Sequence, residues 1–241
     1  MAASQPYFLG VNMRFNRLLN MIGEEKLAKL NSMKIIVFGL GGVGSYAAEI
    51  LARSGIGTLH VVDYDYVDIT NINRQLIALE STLNQKKVSV FSDRAKDINP
   101  NINLVTHDIK ADNETIRELL DEGFDYVADC IDDIFAKVAI AKYCLDNEIN
   151  FISSMGFANK YKPELIKIST LNQTSVCPLA KALRKQLKLA GYTLNFPVVY
   201  SEEVPAIVQD KKILGSNAYC PSVAGIYLAA HIINDIIGEE K

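Results

Sequence analysis

Cysteine is scarce in this chain of 241 residues: Cys130, Cys144, Cys177 and Cys220 stand 14, 33 and 43 positions apart. No CxxC pair occurs among them, which excludes the usual spacing of a structural zinc site, and they are too sparse for a disulfide framework. That usage fits a reducing, cytoplasmic setting. Long apolar runs are also missing. The longest, over residues 223–237, is broken by His231, Asn234 and Asp235, so no stable membrane insertion is expected. The N-terminus shows no apolar stretch behind basic residues of the kind a secretory signal needs. Basic excess is absent as well, since 25 Lys and Arg face 28 Asp and Glu for a net charge of −3. A surface coated for nucleic acid over its whole extent is thereby excluded. No internal repeat or low-complexity tract is present.

What the chain does have suits one folded unit. Its hydrophobic content is 49%, and a chain of this length and composition can close a three-layer α/β core without a second domain. Residues 34–38 (KIIVF) are β-branched and aromatic, glycines follow at once, and residues 43–52 are apolar-periodic. The order is strand, tight turn, helix. Gly55 and Gly57 end that helix and residues 58–62 (TLHVV) close a second strand on Asp63, giving a βαβ unit of about thirty residues with room for a right-handed crossover. The alternation continues with helices over 85–98, 113–121 and 136–147 and strands over 103–107, 126–129 and 151–154. Strands over 165–170 and 196–201 and helices over 178–190 and 222–237 complete it. The expected fold is a doubly wound, Rossmann-like, mostly parallel sheet with helices on both faces and a C-terminal extension of mixed strands and helices. Within a single domain over 1–241, residues 1–30 form a helical arm, 31–155 the nucleotide-binding core and 156–241 a substrate-side extension. Residues 202–219 have weak periodicity and mixed charge and are expected to form a mobile loop.

Gly39, Gly41, Gly42 and Gly44 spell G-L-G-G-V-G between the first strand and its helix. Without Cβ atoms the backbone turns sharply and approaches a phosphate, and the helix N-terminus adds unsatisfied N–H groups and a partial positive charge. Asp63 ends the next strand, 24 residues after Gly39, where a carboxylate accepts from ribose hydroxyls. Alone, these residues fit a nicotinamide or flavin cofactor as well as ATP, because such a fingerprint marks a site and not a reaction.

The residues after Asp63 shift that balance. Positions 63–75 read DYDYVDITNINRQ, Lys87 opens the following helix, and Asp129 and Asp132 stand just past the fourth strand. Hydride transfer has no use for a separate arginine, lysine and carboxylate around phosphates that never react. Cleavage of a triphosphate does. Arg74 and Lys87 can neutralise charge on departing pyrophosphate, and Asp132 can hold Mg²⁺ through one carboxylate plus phosphates and water. Taken singly, Arg74 fits a surface ion pair and Asp132 a helix cap. Their joint placement points to chemistry.

The segments G-L-G-G-V-G, V-D-Y-D-Y-V, T-N-I-N-R-Q, K-K-V and D-C-I-D-D, spread over residues 10–155, resemble the ThiF-type ATP-binding fold. That fold is shared by ubiquitin-activating enzymes and the bacterial activators of molybdopterin and thiamin sulfur carriers. The resemblance implies adenylation, in which a substrate carboxylate attacks the α-phosphate of ATP and pyrophosphate leaves. It implies ATP and Mg²⁺ as cofactors and no NAD, while the missing CxxC pairs speak against zinc. It also assigns the four glycines, Asp63, Asp65, Asn71 and Gln75 to the nucleotide, Asn71, Arg74 and Lys87 to its phosphates, and Asp132 to the metal. Arg17, in R-F-N-R, matches an arginine that in these relatives reaches the ATP of a partner subunit, which implies a homodimer.

Sulfur-carrier activators usually carry two CxxC pairs, and this chain has none. Residues 178–188 (PLAKALRKQLK) and Cys220 in Y-C-P-S instead resemble a branch of bacterial enzymes that dehydrate threonylcarbamoyladenosine in tRNA. One departure is Cys177, where the branch commonly has an acidic residue. At 100° per residue, Lys181, Arg184, Lys185 and Lys188 share one helix face and Leu179, Leu183 and Leu187 the opposite one. Residues 160–188 hold seven basic side chains against Glu164 alone. Such a stripe can track an RNA backbone, positioning it without reading its bases; the plainer alternative is a solvated face. The resemblance implies a tRNA substrate whose threonyl carboxylate is adenylated and then closes a ring by internal attack with loss of AMP. A sulfur-relay protein is a further expected partner, and two competing readings are adenylation of the C-terminal glycine of a ubiquitin-like sulfur carrier and a nucleotide-sensing module without turnover. Arg74, Lys87 and Asp132 speak against the sensor. Cys220 is either a reactive thiol or, as is commoner, a small apolar residue at a helix start. His60, His107 and His231 are expected to be structural.

Overall fold

A computed structural model describes residues 13–207 and 214–239. Its strands are β1 (Lys34–Phe38), β2 (Thr58–Val62), β3 (Asn103–His107), β4 (Tyr126–Asp129), β5 (Phe151–Ser154), β6 (Ile166–Thr170) and β7 (Pro197–Ser201). The helices are α1 (Asn16–Ser32), α2 (Gly44–Arg53), α3 (Lys87–Ile98), α4 (Asn113–Leu120), α5 (Ile134–Asp146), α6 (Pro178–Leu189) and α7 (Cys220–Ile237). The strands join one sheet in the order β3-β2-β1-β4-β5-β7-β6. Neighbours run parallel except β6, which is antiparallel to β7 at the edge.

A parallel sheet must be covered on both faces, which explains why KIIVF and TLHVV are apolar throughout and do not alternate. Successive side chains of β1 divide between two cores. Ile35 and Val37 pack with Leu30 of α1, Leu51 of α2, Phe91 of α3 and Leu228 of α7, whereas Ile36 and Phe38 pack with Ile116 of α4, Ile140 of α5 and Leu183 of α6. By length and composition α7 resembles a membrane span, yet 61% of it is buried in the protein. Its approach to α2 is so close that a Cβ on Gly225 would lie 2.3 Å from the Val43 carbonyl oxygen.

Several element ends differ from the sequence expectation, each for a local reason. Helix α3 starts at Lys87 because Lys86 stays extended and bridges to Tyr66. Helix α5 starts at Ile134, earlier than expected, because Asp133 caps it by accepting from the Phe135 and Ala136 N–H groups at 2.8 and 2.9 Å. The N-terminal arm, expected over 1–30, is helical through Ser32 with a break at Gly23, and Leu27 and Leu30 are buried. Its residues 1–12 lie outside the described residues, as do 208–213 of the loop expected to be mobile.

Candidate active site

A cavity of about 950 Å³ opens at the carboxyl edge of the sheet, and the turn after β1 forms one end of it, the usual place for a ligand in an open α/β sheet. The turn depends on glycine: a Cβ on Gly44 would sit 1.8 Å from the Gly39 carbonyl oxygen. Val43, at the N-cap of α2, provides no side-chain cap, and the Ser45 hydroxyl donates back to the Gly41 carbonyl at 2.7 Å. The Ser45 N–H is also taken, donating to the same carbonyl at 3.1 Å, and the remaining N–H groups of the first turn are left for an anion.

Charge gathers beside this cradle. Asp63 is buried at the end of β2, where its Oδ2 accepts from the Leu40 N–H at 2.7 Å and its Oδ1 from the Asp65 N–H at 2.9 Å. Burial pushes its carboxyl above the ordinary value, opposed by nearby Lys87 and both backbone donors. Each oxygen retains a lone pair for a ribose hydroxyl. Lys87 is also buried, with Nζ 2.9 Å from Asp65 Oδ2 and 3.9 Å from Asp63 Oδ2. Asn71 spends its side-chain oxygen on the Asp68 N–H at 3.1 Å, which leaves its amide donors. Half-buried Arg74 donates from Nη1 to the Thr70 carbonyl at 2.9 Å and to Asn73 Oδ1 at 3.0 Å. Gln75 is buried in the cavity wall and its Oε1 has no hydrogen-bond partner among the described residues.

Asp132 lines the cavity, and since Asp133 is the cap of α5, helix capping does not account for it. Beneath it lies a network the sequence reading missed. Asp129 Oδ2 accepts from Lys137 Nζ at 2.8 Å and from Ser153 Oγ at 2.5 Å, and its Oδ1 accepts from the Ile131 N–H at 3.3 Å. Lys137 is 0% and Asp129 1% exposed. A charge so deeply buried needs its partner, and the pair ties the ends of β4 and β5 to α5 directly under the Asp132 segment.

The far wall comes from the C-terminal third. Ser154 to Asn159, Cys177 to Leu179, Pro205, Leu214 to Ser216 and Pro221 all face the cavity. Both described limbs of the loop over 202–219 are fastened to one turn. The Ala206 N–H donates to the Asn159 carbonyl and the Gly215 N–H to Asn159 Oδ1, each at 2.7 Å, while buried Lys160 donates from Nζ to the carbonyls of Ser201 and Glu203. Helix α6 leads outward from this wall. Its Lys181, Lys185 and Lys188 are exposed, and Ala180, Leu183 and Leu187 are buried. Arg184 differs from its expected neighbours: its guanidinium donates to the Thr174 carbonyl at 2.9 Å and to the Thr174 hydroxyl. Its helical angle places it nearest the buried edge of the stripe, so it clamps the preceding loop.

Cys220 is fully buried behind the wall. Its thiol donates to the Lys160 carbonyl at 3.4 Å, and burial pushes it above its ordinary pKa. This placement opposes a reactive thiolate and favours the packing role. The thiols that do face the cavity are Cys130 and Cys177. Arg17 is exposed on α1 and does not line the cavity of its own chain.

Comparison with known proteins agrees with this geometry. The ThiF family model matches residues 15–241. The tRNA threonylcarbamoyladenosine dehydratase of Bacillus subtilis is 40% identical over 240 residues, covering 93% of this chain and 94% of that protein. The molybdopterin-synthase adenylyltransferase of Haemophilus influenzae is 33% identical over 58% of each chain. Among solved structures, the E. coli tRNA N6-threonylcarbamoyladenosine dehydratase in complex with AMP superposes with a TM-score of 0.90 at 29% identity, covering 99% of this chain and 98% of that one. Its complex with ATP gives 0.89 at 30% identity over the same shares. The chain thus belongs to the ThiF family.

Proposed function

We propose that the chain is an ATP-dependent dehydratase of threonylcarbamoyladenosine in tRNA. Similarity to the named dehydratases over nearly the whole chain supports this reading. One observation carries it within this molecule: a single cavity runs from the glycine cradle to the first turn of α6, whose outer flank is basic. The cradle needs glycine where a Cβ would collide, and Gln75 holds a buried acceptor without a partner among the described residues, both fitting a nucleotide. Asp63 would receive the ribose, and Asn71, Arg74 and Lys87 the phosphates. Asp132 would hold Mg²⁺, which would neutralise charge on pyrophosphate as it departs. Among the described residues no group of three or more His, Cys, Asp or Glu is placed to hold a metal, so this carboxylate would share the ion with phosphates and water.

In the reaction, the threonyl carboxylate attacks the α-phosphorus and pyrophosphate leaves with the electrons of the broken P–O bond. The same side chain then attacks its own acyl carbon, and AMP leaves with the former carboxylate oxygen. ATP becomes AMP and pyrophosphate, and the nucleoside loses the elements of water. The partner's Arg17 would complete the phosphate site in a homodimer.

Incubating the purified chain with ATP, Mg²⁺ and tRNA carrying threonylcarbamoyladenosine should give AMP, pyrophosphate and a nucleoside lighter by one water on mass spectrometry. ADP and phosphate with an unchanged nucleoside would overturn the reading. Adenylation of a sulfur carrier's terminal glycine, with tRNA untouched, would move the assignment to the carrier. Lys87→Ala or Arg74→Ala should lower turnover more than ATP affinity, because these cations meet a charge that builds only in the transition state.

A further inference from the structure

Asn73 joins the phosphate loop to the far wall of the cavity. Its Oδ1 accepts from Arg74 Nη1 at 3.0 Å, and its Nδ2 donates to the Ser216 carbonyl at 3.0 Å. An asparagine amide carries its acceptor and its donor on one rigid plane, so the two bonds share a single orientation. On its other flank the same wall is held by the turn at Asn159. The Gly215 N–H donates to Asn159 Oδ1 at 2.7 Å, the Asn159 N–H returns to the Gly215 carbonyl at 2.8 Å, and Asn217 Nδ2 donates to the Lys160 carbonyl at 2.6 Å. Residues 214–217 are thus suspended between Asn73 on the nucleotide side and residues 159–160 on the other, with Leu214, Gly215 and Ser216 facing the cavity.

We propose that Asn73 is a positioning residue that couples the orientation of Arg74 to the position of the 214–217 wall, so that ATP and the tRNA substrate bind with positive cooperativity. The inference rests on the dehydratase reading given above. A triphosphate that draws the guanidinium toward itself turns the amide, because the bond between them is charge-assisted. The amide in turn carries the Ser216 carbonyl, and with it the wall against which the substrate carboxylate is placed. Coupling of this kind is reciprocal: ATP tightens tRNA by the same factor as tRNA tightens ATP.

Asn73→Asp keeps the acceptor for Arg74 but sets a second oxygen against the Ser216 carbonyl. Asn73→Ala removes both bonds. Affinity for substrate tRNA is measured with and without a non-hydrolysable ATP analogue, alongside dehydration by the wild type and thermal unfolding of every variant. In the wild type the analogue should tighten tRNA on the order of tenfold, within the usual range of such couplings. Both variants should lose that gain while melting as before; Asn73→Ala should bind the analogue alone as before, and Asn73→Asp more weakly, because its carboxylate pairs with the Arg74 guanidinium. Asn73→Asp should fail as fully as Asn73→Ala, a result that simple support of Arg74 does not produce. If the wild type dehydrates tRNA and the variants keep the full gain, the coupling is overturned while the function stands. If the wild type leaves tRNA unchanged, the function falls and the coupling with it.

Discussion

His60 is buried beside Phe124, with Nδ1 3.0 Å from His107 Nε2 and 3.9 Å from Glu122 Oε2. Burial, then repulsion from His107 and Lys34, pushes its pKa from 6.5 down to about 4 against the opposing pull of Glu122. The unfolded chain therefore binds a proton more readily between those values. Stability is fully present above 6.5 and falls as the pH is lowered toward 4. His60→Phe should flatten that fall, measured as urea midpoints across the window; unchanged slopes would refute the assignment. Individual residues were unequally legible in the sequence. Asp63, Arg74, Lys87 and Asp132 could be grouped from the sequence, Asp63 by its place after the glycine turn and the others as the charged side chains that follow it, and all four line the one cavity. The Asp129–Lys137–Ser153 network could not, since nothing in an apolar helix announces where a buried lysine finds its partner. Asn159 was equally silent, because its bonds to Ala206 and Gly215 span long chain distances.

Periodicity gave the elements of the fold, because strands buried on both faces leave continuous apolar runs and amphipathic helices leave a stripe. It misplaced element ends where one side chain decides them, as Asp133 does for α5. Helix α6 shows the same limit, for the sequence pattern grouped four cations while packing separates Arg184 from the other three. Replacing Lys181, Lys185 and Lys188 by Glu should leave folding and ATP-only turnover intact, since all three are exposed and helix propensity is retained. Affinity for tRNA should fall, and the dependence of log affinity on log salt should flatten by roughly 0.7 to 0.9 for each phosphate no longer neutralised. A salt series on both proteins reads this directly, and an unchanged slope would make the stripe a solvated face. Arg184→Glu belongs to a different class. It strips Thr174 of its donor, so it should lower the melting temperature.

For the whole molecule, the exposed position of Arg17 outside its own cavity sets up a test of assembly. Mixing Arg17→Ala with Lys87→Ala chains should restore part of the activity, because a heterodimer would contain one intact composite site. No recovery after verified subunit exchange would leave Arg17 without that role. The legible part of the molecule was its first two thirds, where strands and motifs follow in chain order. The far wall was not legible, since it is assembled from segments far apart in the chain. One of those segments is the start of α7: a Cβ on Gly42 would meet the Pro221 side chain at 3.0 Å, and Gly225 lies against Val43. The phosphate turn leaves the ribosome early, but the Pro221 flank beside it arrives only with residues 220–237. A nascent chain that still lacks this helix therefore carries the glycine cradle without its Pro221 flank.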